Sequence, residues 1–216
     1  MKLRSIALVL SVALASATAH AQAGVYVTAD GQQFTQKGVD LPAFANSRDV
    51  DKLWLAGATY GIYYDFNHLP GIGKLKTGPI AVGIDGRGDV FRLNVYNSQI
   101  DREDGLFSLR LALKKPFPEK LLLHTTPYIQ GGFGIGHTRN VLRSYYNNNM
   151  LYQFSVGFDR PLTKKSKNLD WRVLEVSVGS LAVYPTGYYN TNGGAGPNQS
   201  NYMITLGTGI VFRSPR

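Results

Sequence analysis

Cysteine is absent, so neither a disulfide nor a thiolate-bound metal can brace the chain. The four histidines, His20, His68, His124 and His137, are scattered and give no metal-ligand spacing. A protein with neither metal nor cofactor is expected. Beyond the N-terminal stretch no apolar run is long enough to cross a bilayer as a helix, and no segment carries a helical period. Acidic residues are few: 14 Asp and Glu against 23 Lys and Arg leave a net charge of +9. A surplus of that sign first suggests nucleic acid as a partner.

The N-terminus argues against nucleic acid. Lys2 and Arg4 precede an apolar run from Ile6 to Ala15, and small residues then lead to Ala19-His20-Ala21. A basic start, an apolar core too short to span a bilayer and an A-x-A site make a secretory signal. Residues 1–21 are expected to be removed, with Gln22 opening a single domain, 22–216. Dropping Lys2 and Arg4 takes the charge from +9 to +7. For an exported chain, lipopolysaccharide phosphates and other anionic envelope surfaces are the reachable counter-charges, and no nucleic acid is expected. With no spanning helix, the remaining way to cross lipid is a closed barrel, in which every backbone N–H and C=O finds a partner.

Period-two alternation supplies the strands. In Leu53 to Phe66, one face reads Trp54, Ala56, Ala58, Tyr60, Ile62, Tyr64, Phe66, and the other reads Leu53, Leu55, Gly57, Thr59, Gly61, Tyr63, Asp65. The apolar face is aromatic towards both ends, as a lipid-facing strand with interfacial girdles should be. The pattern recurs in Gly105–Phe117, Pro127–Arg139, Met150–Pro161, Asp170–Tyr184 and Tyr202–Arg213, where Thr208 interrupts an otherwise apolar face. Gly24–Phe34 and Pro79–Leu93 complete eight. An even number closes an antiparallel barrel, and eight strands enclose an interior just wide enough for side chains to fill. The predicted fold is all-β, an eight-stranded antiparallel up-and-down transmembrane β-barrel.

If the first strand starts in the periplasm, the outward connections are Thr35–Lys52, Asn94–Asp104, Asn140–Asn149 and Pro185–Asn201, and the inward ones are Asn67–Gly78, Pro118–Thr126 and Leu162–Leu169. Eight of the ten lysines after the signal lie in or beside the inward set: Lys74, Lys76, Lys114, Lys115, Lys120, Lys164, Lys165 and Lys167. From the signal through the terminal TLGTGIVF, the chain resembles the eight-stranded outer-membrane β-barrel proteins, the broad OmpA/OmpX-like class. The resemblance rests on strand count and patterning. It implies a barrel in the outer membrane of a Gram-negative bacterium, inserted by the outer-membrane assembly machinery. Members commonly end on an aromatic residue, whereas Phe212 here is followed by Arg213-Ser214-Pro215-Arg216.

The inward polar residues Asp65, Asp85, Arg87, Arg110, Gln130, Asp159 and Glu175 are expected to form a lumenal charge network. Buried charges must be paired, so a mixed-sign set in a narrow barrel plugs it. No catalytic residues are expected. His68-Leu69-Pro70, His124-Thr125-Thr126 and His137-Thr138-Arg139 lack the His-x-Ser arrangement of lipid A deacylases, and no nucleophile and base can be matched. Gly131-Gly132-Phe133-Gly134-Ile135-Gly136 is followed by no helix, so it is read as a strand and not as a phosphate loop. Tyr145 and Tyr146, with Tyr188 and Tyr189 in the Tyr/Asn/Gly-rich 185–201 loop, offer a recognition surface. The expected protein is a monomer in contact with outer-membrane lipid and lipopolysaccharide, with a structural or surface-interaction role. The alternatives are a narrow channel for small solutes, and a soluble periplasmic lipocalin-like barrel with its apolar residues turned inward.

Overall fold

A computed structural model describes residues 21–35, 54–66, 78–95, 98–118, 124–140, 145–163, 168–182 and 200–214. They form eight strands: β1 (Ala21–Thr35), β2 (Trp54–Phe66), β3 (Ile80–Val95), β4 (Ser98–Leu113), β5 (Thr126–Asn140), β6 (Tyr145–Pro161), β7 (Leu169–Ala182) and β8 (Ser200–Arg213). Each pairs antiparallel with its neighbours in sequence, and β1 pairs with β8, so the sheet closes on itself without an edge. The signal segment predicted at 1–21 lies outside the described residues except for Ala21, which pairs with Phe66.

Alternation decides the two surfaces. Trp54, Tyr60, Phe107, Leu109, Phe133, Ile135, Tyr152, Phe154 and Phe212 are exposed on the outer wall. Inward residues that alternate with this wall, among them Arg110, Gln130, Gln153 and Val211, are buried in the lumen. A lipocalin-like arrangement requires the reverse facing, and this barrel does not have it. The three inward tyrosines each lie opposite a glycine in the register: Tyr26 faces Gly61, Tyr63 faces Gly24, and Tyr128 faces Gly157. A Cβ on any of these glycines would strike the tyrosine ring. The narrow lumen accepts large rings only because the cross-strand position is empty.

Several strands run further than their hydrophobic pattern. The segments read as outward connections at 94–104 and 140–149 are largely strand, since β3 ends at Val95, β4 begins at Ser98 and β6 begins at Tyr145. Past the apolar belt both faces of a strand meet polar surroundings, so the alternation that marks a strand fades while the hydrogen-bond ladder continues. Arg92 and Asp101, directly opposite in the register, form an ion pair at 2.8 Å on the outer face there.

One irregularity breaks the ladder. On β7 the register shifts between Arg172 and Glu175, so that Arg172 faces Gly209 and Glu175 faces Gly207. The extra residue is a β-bulge, and it lets Arg172 and Glu175, three apart, both enter the lumen. Thr208 is the polar residue that interrupted the apolar face of β8. Its hydroxyl donates to the Arg172 carbonyl at 3.0 Å and accepts the Trp171 indole N–H at 3.0 Å. It satisfies the carbonyl that the bulge removes from the ladder.

The C-terminal residues that follow Phe212 close the seam. Arg213 turns inward to Asp170 at 2.9 Å. Ser214 N donates to the Ala23 carbonyl at 2.8 Å, and Ala23 N donates to Ser214 Oγ at 3.1 Å.

Candidate functional site

The lumen is where the chain concentrates its chemistry. Arg172 is fully buried and reaches Asp159 at 3.0 Å and Glu175 at 2.9 Å. Arg87 pairs with Glu175 at 2.7 Å, and Arg110 lies 3.4 Å from Asp65 and 3.6 Å from Asp159. The Tyr26 hydroxyl donates to Asp85 at 3.0 Å, and the Tyr128 hydroxyl donates to Glu175. Ser177 also donates to Glu175 at 3.3 Å and exchanges a 2.7 Å hydrogen bond with Ser155.

Rings and guanidiniums alternate through this network. The Arg110 guanidinium sits 4.3 Å from the Tyr63 ring centroid and 3.7 Å from that of Tyr128. Arg172 sits 4.7 Å from the Tyr128 ring centroid and 4.1 Å from that of Tyr26. Tyr63, Arg110, Tyr128, Arg172 and Tyr26 are therefore linked in that order as one stack of alternating rings and guanidiniums. Each such contact is worth about 0.5–2 kcal/mol, the larger figure applying to desolvated sites. The carboxylates at the rim neutralise the two guanidiniums that the stack carries. A separate cluster of Leu106, Leu151 and Met203, all buried, fills another section of the lumen. Side chains occupy the bore.

Of the seven residues expected in the network, six are joined: Asp65, Arg87, Arg110, Asp159 and Glu175 by ion pairs, and Asp85 through Tyr26. Gln130 is buried, and neither its amide nitrogen nor its amide oxygen has a hydrogen-bond partner among the described residues. Arg172, the centre of the cluster, was missed because strict alternation would put it on the outer wall with Leu174. The available signal was the Arg-Val-Leu-Glu spacing, two polar residues separated by an apolar pair. Tyr63 and Tyr128 fell on the inner face in sequence, but nothing in one strand alone showed that they stack.

Elsewhere, His124 is exposed at φ +61°, and His137 lies on β5 at the end of the outer apolar face. Tyr145 and Tyr146 open β6, paired with Asn140 and Arg139. Tyr188 and Tyr189 lie outside the described residues, as do His20 and His68 and most of the lysine-bearing turns.

No family model and no curated protein matches the chain. Among solved structures, Neisserial surface protein A is similar over 90% of this chain and 97% of its own, at 8% identity and a TM-score of 0.44. Ail, the attachment invasion locus protein of Yersinia pestis, is similar over 90% of this chain and 100% of its own, at 11% identity and a TM-score of 0.47. The outer membrane protein OprG from Pseudomonas aeruginosa is similar over 91% and 95%, at 10% identity and a TM-score of 0.35. Values this low leave the fold to be read from the chain's own strand order and register.

Proposed function

We propose that this chain is a small transmembrane barrel of the outer membrane of a Gram-negative bacterium, which acts through its outer surface and not as a solute pore or an enzyme. The observation that carries the reading is the outer wall. On β3 it is unbroken from Ile80 to Val90, on β4 from Gly105 to Leu113, on β5 from Pro127 to Ile135 and on β6 from Met150 to Phe158. Those belts are nine to eleven residues long, and a tilted strand needs about 9–11 to cross the hydrocarbon core. Outward charge begins beyond them, with Arg92, Glu103 and Arg160.

Water would not tolerate a continuous belt of this size around a monomer, whereas acyl chains would. Lipid and lipopolysaccharide are then the partners of the wall, and the assembly machinery is the route of insertion. The plugged lumen leaves recognition to the end that carries Tyr145, Tyr146 and the 185–201 loop. The chain has no native cysteine, so single cysteines introduced at Leu109 and Phe154 can report their surroundings cleanly. In outer membranes they should be protected from aqueous maleimide, with an attached fluorophore quenched by brominated lipid. Ready aqueous labelling of both in the folded protein would defeat the membrane reading. In planar bilayers the protein should show little steady conductance. Large stable channels would reverse the ranking of surface role over pore.

A further inference from the structure

The lumen is short of positive charge. Among the described residues, eight carboxyl groups are buried against five arginines. Arg102 is matched by Asp104 at 2.8 Å, and Arg213 by Asp170 at 2.9 Å. Arg87, Arg110 and Arg172 then face six carboxyls. Their ion-pair partners alone, Asp65, Asp89, Asp159 and Glu175, already outnumber them by one.

Asp30 and Asp85 are the two that no ion pair of the described residues includes. Asp85 is fully buried and Asp30 is 9% exposed. Their side-chain hydrogen bonds come from neutral hydroxyls. Thr28 Oγ1 donates to Asp30 at 3.0 Å, and Thr59 also hydrogen-bonds it. The Tyr26 hydroxyl donates to Asp85 Oδ1 at 3.0 Å, while Asp85 Oδ2 has no hydrogen-bond partner.

The surroundings supply no spare cation. Asp30 faces Thr28 on β1, Thr59 on β2, Arg87 and Asp89 on β3, Glu175 on β7 and Gly207 on β8. Asp85 faces Tyr26 on β1, Tyr63 on β2, Arg87 on β3, Ser108 and Arg110 on β4, and Arg172 and Glu175 on β7. The guanidiniums in both settings are the three already outnumbered. A dissolved counter-ion is excluded beside Asp30, because the space it shares with Arg87, Asp89 and Glu175 has no room even for a water molecule. A proton needs no room. Burying an uncompensated carboxylate costs far more than burying the neutral acid, so such a group takes up a proton instead.

We infer that Asp30 and Asp85 are proton-binding sites, held as neutral carboxylic acids in the folded barrel. On folding at neutral pH each carboxylate takes one proton from water, and on unfolding it gives that proton back. The folded state thus holds protons that an unfolded aspartate releases above about pH 4. Stability therefore falls as pH rises, by about tenfold in the folding equilibrium constant per pH unit for each proton held. Carboxylates held by arginine act with the opposite sign and in stronger acid.

Two measurements on the purified, folded barrel test this. Infrared spectra in heavy water at neutral pH should show the carbonyl stretch of a protonated carboxylic acid, weakened in Asp30→Asn and in Asp85→Asn. The unfolding midpoint, read by heat-modifiable migration, should fall between about pH 5 and pH 8. Histidines titrate in the same window, so the effect is the difference from the variants. Each Asn variant should lose part of the fall and be no less stable than the wild type at the alkaline end. Asp104→Asn, which breaks an ion pair, should instead lower the midpoint throughout and leave the fall in place. A wild-type spectrum without the acid band, which needs no variant to fold, would overturn the inference. A band and a slope that neither Asn variant changes would overturn it too, by placing the protons on other groups.

Discussion

Replacing Arg172 with methionine removes the one side chain shared by both carboxylate pairs and both halves of the aromatic stack. The substitution keeps length and apolar volume, so it opens little cavity. What it loses is charge. Among the described residues Asp159 keeps only Arg110, at 3.6 Å, while Glu175 keeps Arg87 at 2.7 Å and the Tyr128 and Ser177 hydroxyls. Removing one partner of a buried ion pair costs about 3–5 kcal/mol, chiefly because the other charge is stranded. Glu175 is well provided for, so the cost is expected near the lower bound. Losing the contacts with Tyr26 and Tyr128 adds about 1 kcal/mol, the two effects being coupled and not strictly additive.

The expected total is about 4 kcal/mol, and for a domain of this size that lowers the unfolding midpoint by roughly 8–16 °C. Heat-modifiable migration or urea titration in detergent micelles reads it. The companion variant Arg172→Met with Asp159→Asn removes the stranded charge and should recover part of the loss, giving a favourable coupling in the double-mutant cycle. A single-variant loss below about 1 kcal/mol, or no recovery in the double variant, would refute the stack and its ion pairs as the organising element of the lumen.

Other perturbations test separate parts of the structure. Leu109→Arg, on the outer wall where Leu109 is 65% exposed, should cost about 2–4 kcal/mol in a bilayer, whereas an exposed leucine of a water-soluble protein would tolerate it; guanidinium titration in liposomes measures the difference. Gly157→Val puts a side chain into the Tyr128 ring and should cost about 1–3 kcal/mol, with Tyr128→Ala partly restoring the folded, heat-modifiable form. Thr208→Val leaves the Arg172 carbonyl at the bulge without its hydroxyl donor and should cost about 1 kcal/mol in the same titration. Arg92→Ala, by contrast, breaks an ion pair whose arginine side chain is 62% exposed and should change stability by less than about 1 kcal/mol.

Facing was legible wherever one face of a strand is apolar and the other polar. Trp54 to Phe66 is the clear case, and every residue assigned outward there is more exposed than its inward neighbours. Two kinds of feature escaped the pattern. At 98–104 and 145–149 the strand continues past the apolar belt, where no hydrophobic contrast remains to mark it. At Val173 and Leu174 the bulge inserts a residue, so a period of two carried along β7 from Glu175 assigns Arg172 to the wrong wall. The tyrosine stack was hidden for a third reason. Its condition is a cross-strand relation, Tyr26 over Gly61 and Tyr128 over Gly157, and no single strand contains both members.

Charge ties the lumen to the rest of the molecule. The whole chain carries +9, while its buried arginines and carboxylates, five against eight, contribute −3. Everything outside that set must then carry +12 in formal charge, the difference of the two figures, or +10 once Lys2 and Arg4 of the expected signal are set aside. The apolar belts on β3 to β6 hold none of it; among the described residues the outward arginines Arg92 and Arg160 lie beyond those belts. For the barrel proposed here as membrane-embedded, each basic residue beside an anionic headgroup surface would contribute about 1 kcal/mol of attraction. The internal deficit and the external surplus are separated by the sheet itself. On the proposed membrane reading, neutralising the lysines Lys114 and Lys115 at the end of β4 should weaken association of the folded barrel with anionic vesicles and leave its unfolding midpoint in detergent unchanged.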